Sequence, residues 1–488
     1  MKKTYTFLGL LGLVSIAISS NCAAEKSTPN FIVILTDDQG YADVGFNGSK
    51  DIVTPNIDRI ANEGTRFTNG YVTAAVCGPS RAGLLTGRYQ GRFGFGRNPI
   101  IDPKDAKAGL PLDEKMISEV LQPLGYKSSV VGKWHMGSHP NFHPNNRGFD
   151  HFYGFLSGGH RYFPEDLVYD SETEGIGAAD TKLPSNSWYH TKLLRNKVTV
   201  ETSSYLTEEL SREAVEFIEQ EKNNPFFLYL AYNAPHAPLQ APKKYLDRNK
   251  HIKEQKRRTY ASMITAVDDG VGSLLAKLKE LNIDDNTLIF FLSDNGGPIG
   301  SYAKNKPLRG AKGDFFEGGI RVPFAVRWPG KIPAGLDYNN PVSSLDILAT
   351  FASLSHASIN KERPLDGVNL LPFILGENQG VPHDVLFWRS FDDDILANRI
   401  GNSKAISSGQ IGNHLYNLSN DLAEQHDLTE THKKAFEQHK IEMELWAAQL
   451  KDPIFRHLTD GTIKAANKKN NMKRAQARVA RSKGAKGY

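Results

Sequence analysis

Cysteine is nearly absent: the 488-residue chain has two, Cys22 and Cys77. Beyond the first thirty positions it has no run of about eighteen apolar residues, so no later segment is expected to span a membrane. Acidic residues are missing from Lys464–Tyr488, where nine Lys or Arg stand. Because the formal net charge of the whole chain is +5, the remainder carries −4. The body is thus mildly acidic, and no nucleic-acid partner is expected. The basic tail, 464–488, has no hydrophobic stripe and is expected to be disordered, a solvated terminus rather than a polyanion-binding arm. No repeat at a fixed period is present, which excludes a solenoid. With 39% hydrophobic and 23% charged residues, the composition is that of an ordinary globular protein.

The first residues read as an export signal. Lys2 and Lys3 precede an apolar stretch, Phe7 to Ile18, and small residues follow from Ser19 to Ala24. A signal peptide over 1–24 is expected, with the mature protein in the periplasm or outside the cell. Cys22 offers the alternative of a lipid anchor, but Asn21 before it is larger than lipoprotein processing favours. Cleavage after Ala24 leaves Cys77 as the one mature cysteine, so no disulfide can form within the chain. A lone thiol in an oxidising compartment is a liability unless it is buried, used or altered.

Phe31–Leu35 is a continuous apolar run of the kind found in a strand buried on both faces. Similar runs occur at Ser129–Val131, Phe226–Ala231, Leu288–Leu292 and Phe324–Arg327. Helical patterns at Asn56–Asn62, Glu114–Pro123, Tyr205–Glu221 and Tyr260–Leu281 alternate with them. The expected fold class is therefore α/β, a large, mostly parallel sheet sandwiched by helices. Residues 25–375 would form this main domain. Short strands over Val385–Leu428 and a helix at Lys433–Leu450 point to a smaller α+β subdomain over 376–463. Ser157–Lys192 reads as a long surface loop. Asp37-Asp38, Lys133 with His135, His236, and Asp294-Asn295 each follow a predicted strand. In open α/β sheets ligands bind at that C-terminal edge.

Cys77, Pro79, Ser80 and Arg81, followed after four residues by Thr86-Gly87, form the most specific stretch. A buried structural cysteine entering a helix through a proline turn is the plain alternative. The segment resembles the modification signature of the type I, formylglycine-dependent sulfatases, within the alkaline-phosphatase-like superfamily, and every specified position matches. The likeness extends from Asn30 to about Leu428, nearest to bacterial polysaccharide sulfatases. It implies that a formylglycine-generating enzyme oxidises Cys77 to an aldehyde. Hydrated, that aldehyde is a geminal diol: one hydroxyl attacks sulfur, and the other later expels sulfate.

The resemblance also implies roles for the residues at the strand ends. Asp37, Asp38, Asp294 and Asn295 are hard oxygen ligands suited to calcium or magnesium, and the family pattern implies one Ca2+ completed by residue 77. Gln39 is an alternative ligand. Lys133 and Lys312 would contact sulfate, and Arg81 would hold the nucleophile. His135 would act as base, and His236 as the acid that protonates the leaving alcohol. His160 and Arg161 are candidates for recognising the rest of an anionic substrate. His139, His143, His151 and His160 are irregularly spaced, without a cysteine, and are not read as a zinc site. The implied activity is hydrolysis of sulfate esters on a sulfated carbohydrate, with a marine galactan such as carrageenan favoured. Alternatives are a glycosaminoglycan or aryl sulfatase, a formylglycine-dependent phosphonate or phosphodiester hydrolase, and a non-catalytic polysaccharide-binding protein.

Overall fold

The computed structural model describes residues 1, 3–4, 28–167 and 191–456. The expected signal peptide with Cys22, the basic tail, and residues 168–190 of the predicted loop lie outside the described residues.

Phe31–Leu35 lies within a seven-residue strand, Asn30–Thr36, buried throughout. Side chains alternate across a strand, so Phe31, Val33 and Leu35 enter one core while Ile32 and Ile34 enter another. Two cores, one on each face, are why this run is apolar at every position. The strand is central in a ten-stranded sheet. From edge to edge the strands are Leu336–Tyr338, Thr65–Phe67, Phe324–Arg327, Thr287–Ser293, Asn30–Thr36, Phe226–Ala231, Lys127–Lys133, His151–Phe155, Leu194–Arg195 and Val198–Thr199. The five from Thr287–Ser293 to His151–Phe155 run parallel. Antiparallel strands flank them on either side.

Helices cover both faces. Ala82 and Leu85 of the helix Cys77–Thr86 share one core with Ile347 and Phe351 of Asp346–Ser355. The other core takes Leu210 and Phe217 from Leu206–Gln220, with Val267 and Leu274 from Gln255–Glu280. The expected α/β sandwich is present, with shifts at its helix ends. The last of these helices begins five residues before Tyr260, because the Glu254 carboxylate caps it by accepting from the Arg257 N–H. The helix expected over Glu114–Pro123 is only Ile117–Leu121, followed by a tight turn at Gln122–Leu124. Glu114 is used instead as a carboxylate, bound by Arg88 and Arg363.

Since the central strands are parallel, their C-terminal ends share one edge. Gly132 and Gly154 let the backbones close up there: a Cβ on Gly132, whose φ is +114°, would meet Ala231 O at 2.0 Å. This close approach carries Lys133, the last residue of its strand, in beside the neighbouring strand ends.

Val385–Ser390, Ile395–Ile400, Ser403–Ser408 and His414–Asn417 form a separate antiparallel sheet in sequence order. The helix Lys433–Ala447, ending three residues before the expected Leu450, packs Phe436 and Met443 on its Ala405 and Leu415. Trp388 fastens this sheet to the main body. It is 2% exposed, its indole N–H donates to Val72 O at 2.7 Å, and its ring lies 5.4 Å from that of Tyr71. Trp388→Ala is expected to remove about 3–5 kcal/mol of stability, measured by denaturant unfolding. Trp388→Phe keeps most of the buried surface and should remove less. An unchanged midpoint in Trp388→Ala would show that the sheet is fastened elsewhere.

Candidate active site

Cys77 is the first residue of the helix Cys77–Thr86. Pro79 fits its first turn because the N–H it lacks would have no partner within the helix. Gly87, at φ +62°, closes the other end by donating its N–H to Gly83 O. The Gly78 N–H is taken by Asn98 Oδ1 at 2.9 Å, which fixes the turn that carries Cys77. The Cys77 side chain is buried at the positive end of this helix, where developing negative charge is favoured.

Asp37 and Asp38 leave the central strand in a strained turn, with Asp38 at φ +68°. Its N–H donates to Asp294 Oδ1 at 3.2 Å, and its carbonyl accepts from the Tyr260 hydroxyl at 3.3 Å. The next N–H, that of Gln39, donates to Ser293 Oγ at 3.0 Å. Asn295 Nδ2 donates to Asp38 Oδ1 at 2.7 Å. The two strand ends are thus laced together by the polar residues that follow them. Asp37 Oδ1 lies 3.4 Å from Cys77 Sγ, and Asp38 Oδ1 lies 4.0 Å from it.

Cations enclose these carboxylates. Lys133 Nζ is 2.6 Å from Asp37 Oδ2. Lys312 Nζ is 2.6 Å from Asp38 Oδ1 and 3.2 Å from Cys77 Sγ. Arg81 Nε is 2.8 Å from Asp294 Oδ2, with Nη2 3.9 Å from Asp37 Oδ1. His236 Nε2 is 3.6 Å from Asp38 Oδ2, and its Nδ1 lies 2.6 Å from Ala237 O. His135 is fully buried at φ +63°, and neither ring nitrogen has a hydrogen-bond partner among the described residues.

Burial pushes the Cys77 thiol up to about 12, against the opposing pull of Lys133 and Lys312. Burial, then the charges of Lys133 and Arg81, drive His135 well below the usual histidine range, leaving a neutral ring able to accept a proton. Burial also lowers His236, to about 4, although Asp38 pulls the other way. Burial and the Asp37 charge raise Asp294 to about 6. Asp38 falls to about 2, because Lys312, His236 and Lys133 outweigh its burial.

Asp37, Asp38, Cys77 and His236 each bring a potential ligand atom within 4.8 Å of one another. The residues fit a cation. Asn295 Oδ1 and Gln39 Oε1 are buried acceptors without partners among the described residues, beside ionised carboxylates. Asp294 is already engaged as well, its two oxygens accepting hydrogen bonds from Arg81 and from the Asp38 N–H.

Every residue expected at the strand edge converges here. The candidates for the rest of the substrate are placed differently. His160 is 1% exposed, and its ring nitrogens meet Thr191 O and Arg161 O at 2.9 and 3.2 Å, so it fastens its loop. Arg161 is partly exposed, 3.9 Å from Asp166. His139 and His143 cap the Asn141 and Asn145 N–H groups, while His151 faces Glu221. Asn98, Ser293 and Tyr260 escaped the sequence reading. Ser293, next to Asp294 at a strand end, carried a positional signal; Asn98 and Tyr260 carried none.

A match to the Sulfatase family covers residues 29–357. The N-acetylgalactosamine-6-sulfatase of Canis lupus familiaris is 35% identical over 410 residues, 80% of this chain and 74% of that protein. An uncharacterized sulfatase, YdeN, of Escherichia coli (strain K12) is 34% identical, over 77% of this chain and 71% of its own length. Among solved structures, Ps i-CgsB superposes with a TM-score of 0.82 at 41% identity, covering 93% of this chain and 99% of that one. The same protein has also been solved in complex with k-i-k-neocarrahexaose. The chain belongs to the sulfatase family and is a sulfuric ester hydrolase.

Proposed function

We propose that the chain hydrolyses sulfate esters on a sulfated polysaccharide or oligosaccharide, using a formylglycine made from Cys77. The observation that carries this reading is the placement of Cys77, buried at the start of its helix with Lys312 Nζ 3.2 Å from Sγ and with Lys133, Arg81, His135 and His236 gathered around it. Such surroundings serve an anionic group bound at position 77. Oxidation of the CH2–SH group to an aldehyde by a separate maturation enzyme, which would supply an external oxidant such as dioxygen and release the sulfur, followed by hydration, would place a diol there.

One hydroxyl of the diol would give its proton to the Asp37 carboxylate, whose Oδ1 lies 3.4 Å from Cys77 Sγ, as its oxygen attacks sulfur and the bond from sulfur to the sugar oxygen breaks. His236 gives its proton to that oxygen. Its lowered pKa leaves it neutral in the free protein, and the incoming sulfate anion favours the protonated ring. Lys133 and Lys312 hold sulfate oxygens, and Arg81 offsets charge beneath the nucleophile. His135 would then take the proton of the second hydroxyl as the carbon–oxygen bond of the sulfate ester breaks, releasing sulfate and an aldehyde that water would hydrate again. Asp37, Asp38, Asp294 and Asn295 would hold a Ca2+ that stabilises negative charge on the sulfate group when bound.

The 41% identity to Ps i-CgsB, solved with a neocarrahexaose, supports a carrageenan-type galactan as substrate. The N-acetylgalactosamine-6-sulfatases support a glycosaminoglycan as the second reading. A phosphonate monoester hydrolase at 20% identity shares the fold alone. Export under a 1–24 signal peptide fits a polymeric substrate met outside the cytoplasm. No helix of the described residues is long and apolar enough to cross a membrane.

Sulfate release from a panel of carrageenan and glycosaminoglycan oligosaccharides is expected to be fastest on the galactans. Release confined to small aryl sulfates would contradict a sugar substrate. His236→Ala is expected to slow sulfate release from a sugar by ~10²–10⁴. The same variant should slow an aryl sulfate far less, because a phenolate leaves without a proton. Equal losses on both, compared as kcat, would remove His236 from the acid role.

A further inference from the structure

We propose that Lys404 and Glu424, contributed by the C-terminal sheet region, are positioning residues that set the place of Lys312. This inference rests on Lys312 acting on the sulfate group, as read above.

Lys312 sits in a tight loop running from Arg309 to Glu317. The loop is closed within itself: Ala311 N–H donates to Asp314 Oδ2 at 2.9 Å, and Gly318 N–H donates to Arg309 O at 2.6 Å. One side is tied to the nucleophile, since Gly313 N–H donates to Ala75 O at 2.8 Å, two residues before Cys77. The other side is tied to the C-terminal region. Glu317 N–H donates to Glu424 Oε2 at 2.7 Å, and Arg309 Nη1 donates to Glu424 O at 2.6 Å and to the Tyr416 hydroxyl at 3.0 Å. Glu424 thus holds both ends of the loop, one by its side chain and one by its carbonyl.

Lys404, on the strand Ser403–Ser408, locks that arrangement. Its Nζ lies 2.8 Å from Glu317 Oε1 and 2.9 Å from Glu424 Oε1, and all three side chains are 0% exposed. The remaining Glu317 oxygen accepts from the Tyr71 hydroxyl at 2.6 Å and lies 3.2 Å from Arg321 Nη1. A buried ion triad is a weak way to gain stability, because desolvating the charges offsets much of their attraction. What the triad supplies is direction: a cation bonded to two carboxylates fixes where both must lie. Here those carboxylates belong to the end of the Lys312 loop and to the clamp across it. Lys312 Nζ must reach Asp38 and Cys77 together, and an error of about 1 Å at such a group can cost ~10²-fold in rate.

The test is a double-mutant cycle on the full chain, with an aryl sulfate as probe and the folded fraction measured for each variant. Lys404→Met is expected to lower kcat of the folded enzyme by roughly 10- to 100-fold. In a Lys312→Ala background the same change should lower kcat no further, since nothing is left to position. Glu424→Gln, which keeps the size and the acceptor for the Glu317 N–H, should couple to Lys312→Ala in the same sense. It decides the matter if Lys404→Met does not fold. Independent, multiplicative losses would overturn the positioning role while leaving Lys312 in place, as would full kcat in folded Lys404→Met. Wild-type turnover in Lys312→Ala itself would overturn the sulfate-clamp reading and the proposal with it.

Discussion

Three carboxylates, those of Asp37, Asp38 and Asp294, stand almost without solvent at one sheet edge, matched by Lys133, Lys312 and Arg81. Unpaired, each buried charge would cost several kcal/mol. Paired, they form a charged lattice whose members are fixed by one another and by the strand ends that carry them. The parallel strands exist in part to make this lattice possible, because only a parallel arrangement brings four C-terminal ends to one edge. The two apolar cores hold those ends still. The glycine pair at Gly132 and Gly154 then lets Lys133 approach closely enough to meet Asp37.

The balance in the lattice is uneven, and that is where chemistry enters. Asp38 is held low by its cations, whereas Asp294 is lifted by burial and by Asp37. Two buried amide oxygens, on Asn295 and Gln39, lack partners among the described residues. Oxygen-rich, negatively charged and incompletely satisfied, this side of the pocket suits a divalent cation. The other side, with Lys312, His236 and the helix end at Cys77, suits an anion. A sulfate ester has a place between the two.

The central strands were legible because burial on both faces leaves an uninterrupted apolar signature, as in Phe31–Leu35. The site was legible because polar residues directly after such runs stand out, and because the segment around Cys77 matches a family signature residue by residue. Helix ends were less so. Glu114 had the pattern of a helix start but was spent on Arg88 and Arg363 instead. His160 looked like a surface group in a polar loop, yet it is turned inward onto Thr191. Asn98, Tyr260, Lys404 and Glu424 were invisible, since each acts on a partner far along the chain and is an unremarkable residue in its own neighbourhood. Their roles come from tertiary closure, which no local pattern records.

All of this converges on one side chain. Cys77 sits at the start of its helix with Lys312 Nζ 3.2 Å from Sγ and Asp37 Oδ1 3.4 Å from it, and the proposed function requires a formylglycine in its place. The most direct measurement is the mass of the peptide containing residue 77, taken from active protein produced with a formylglycine-generating enzyme. The account predicts a residue lighter than cysteine, with one oxygen in place of the sulfur and two hydrogens, that reacts with carbonyl reagents. Fully active protein in which that residue is wholly unmodified cysteine would contradict it.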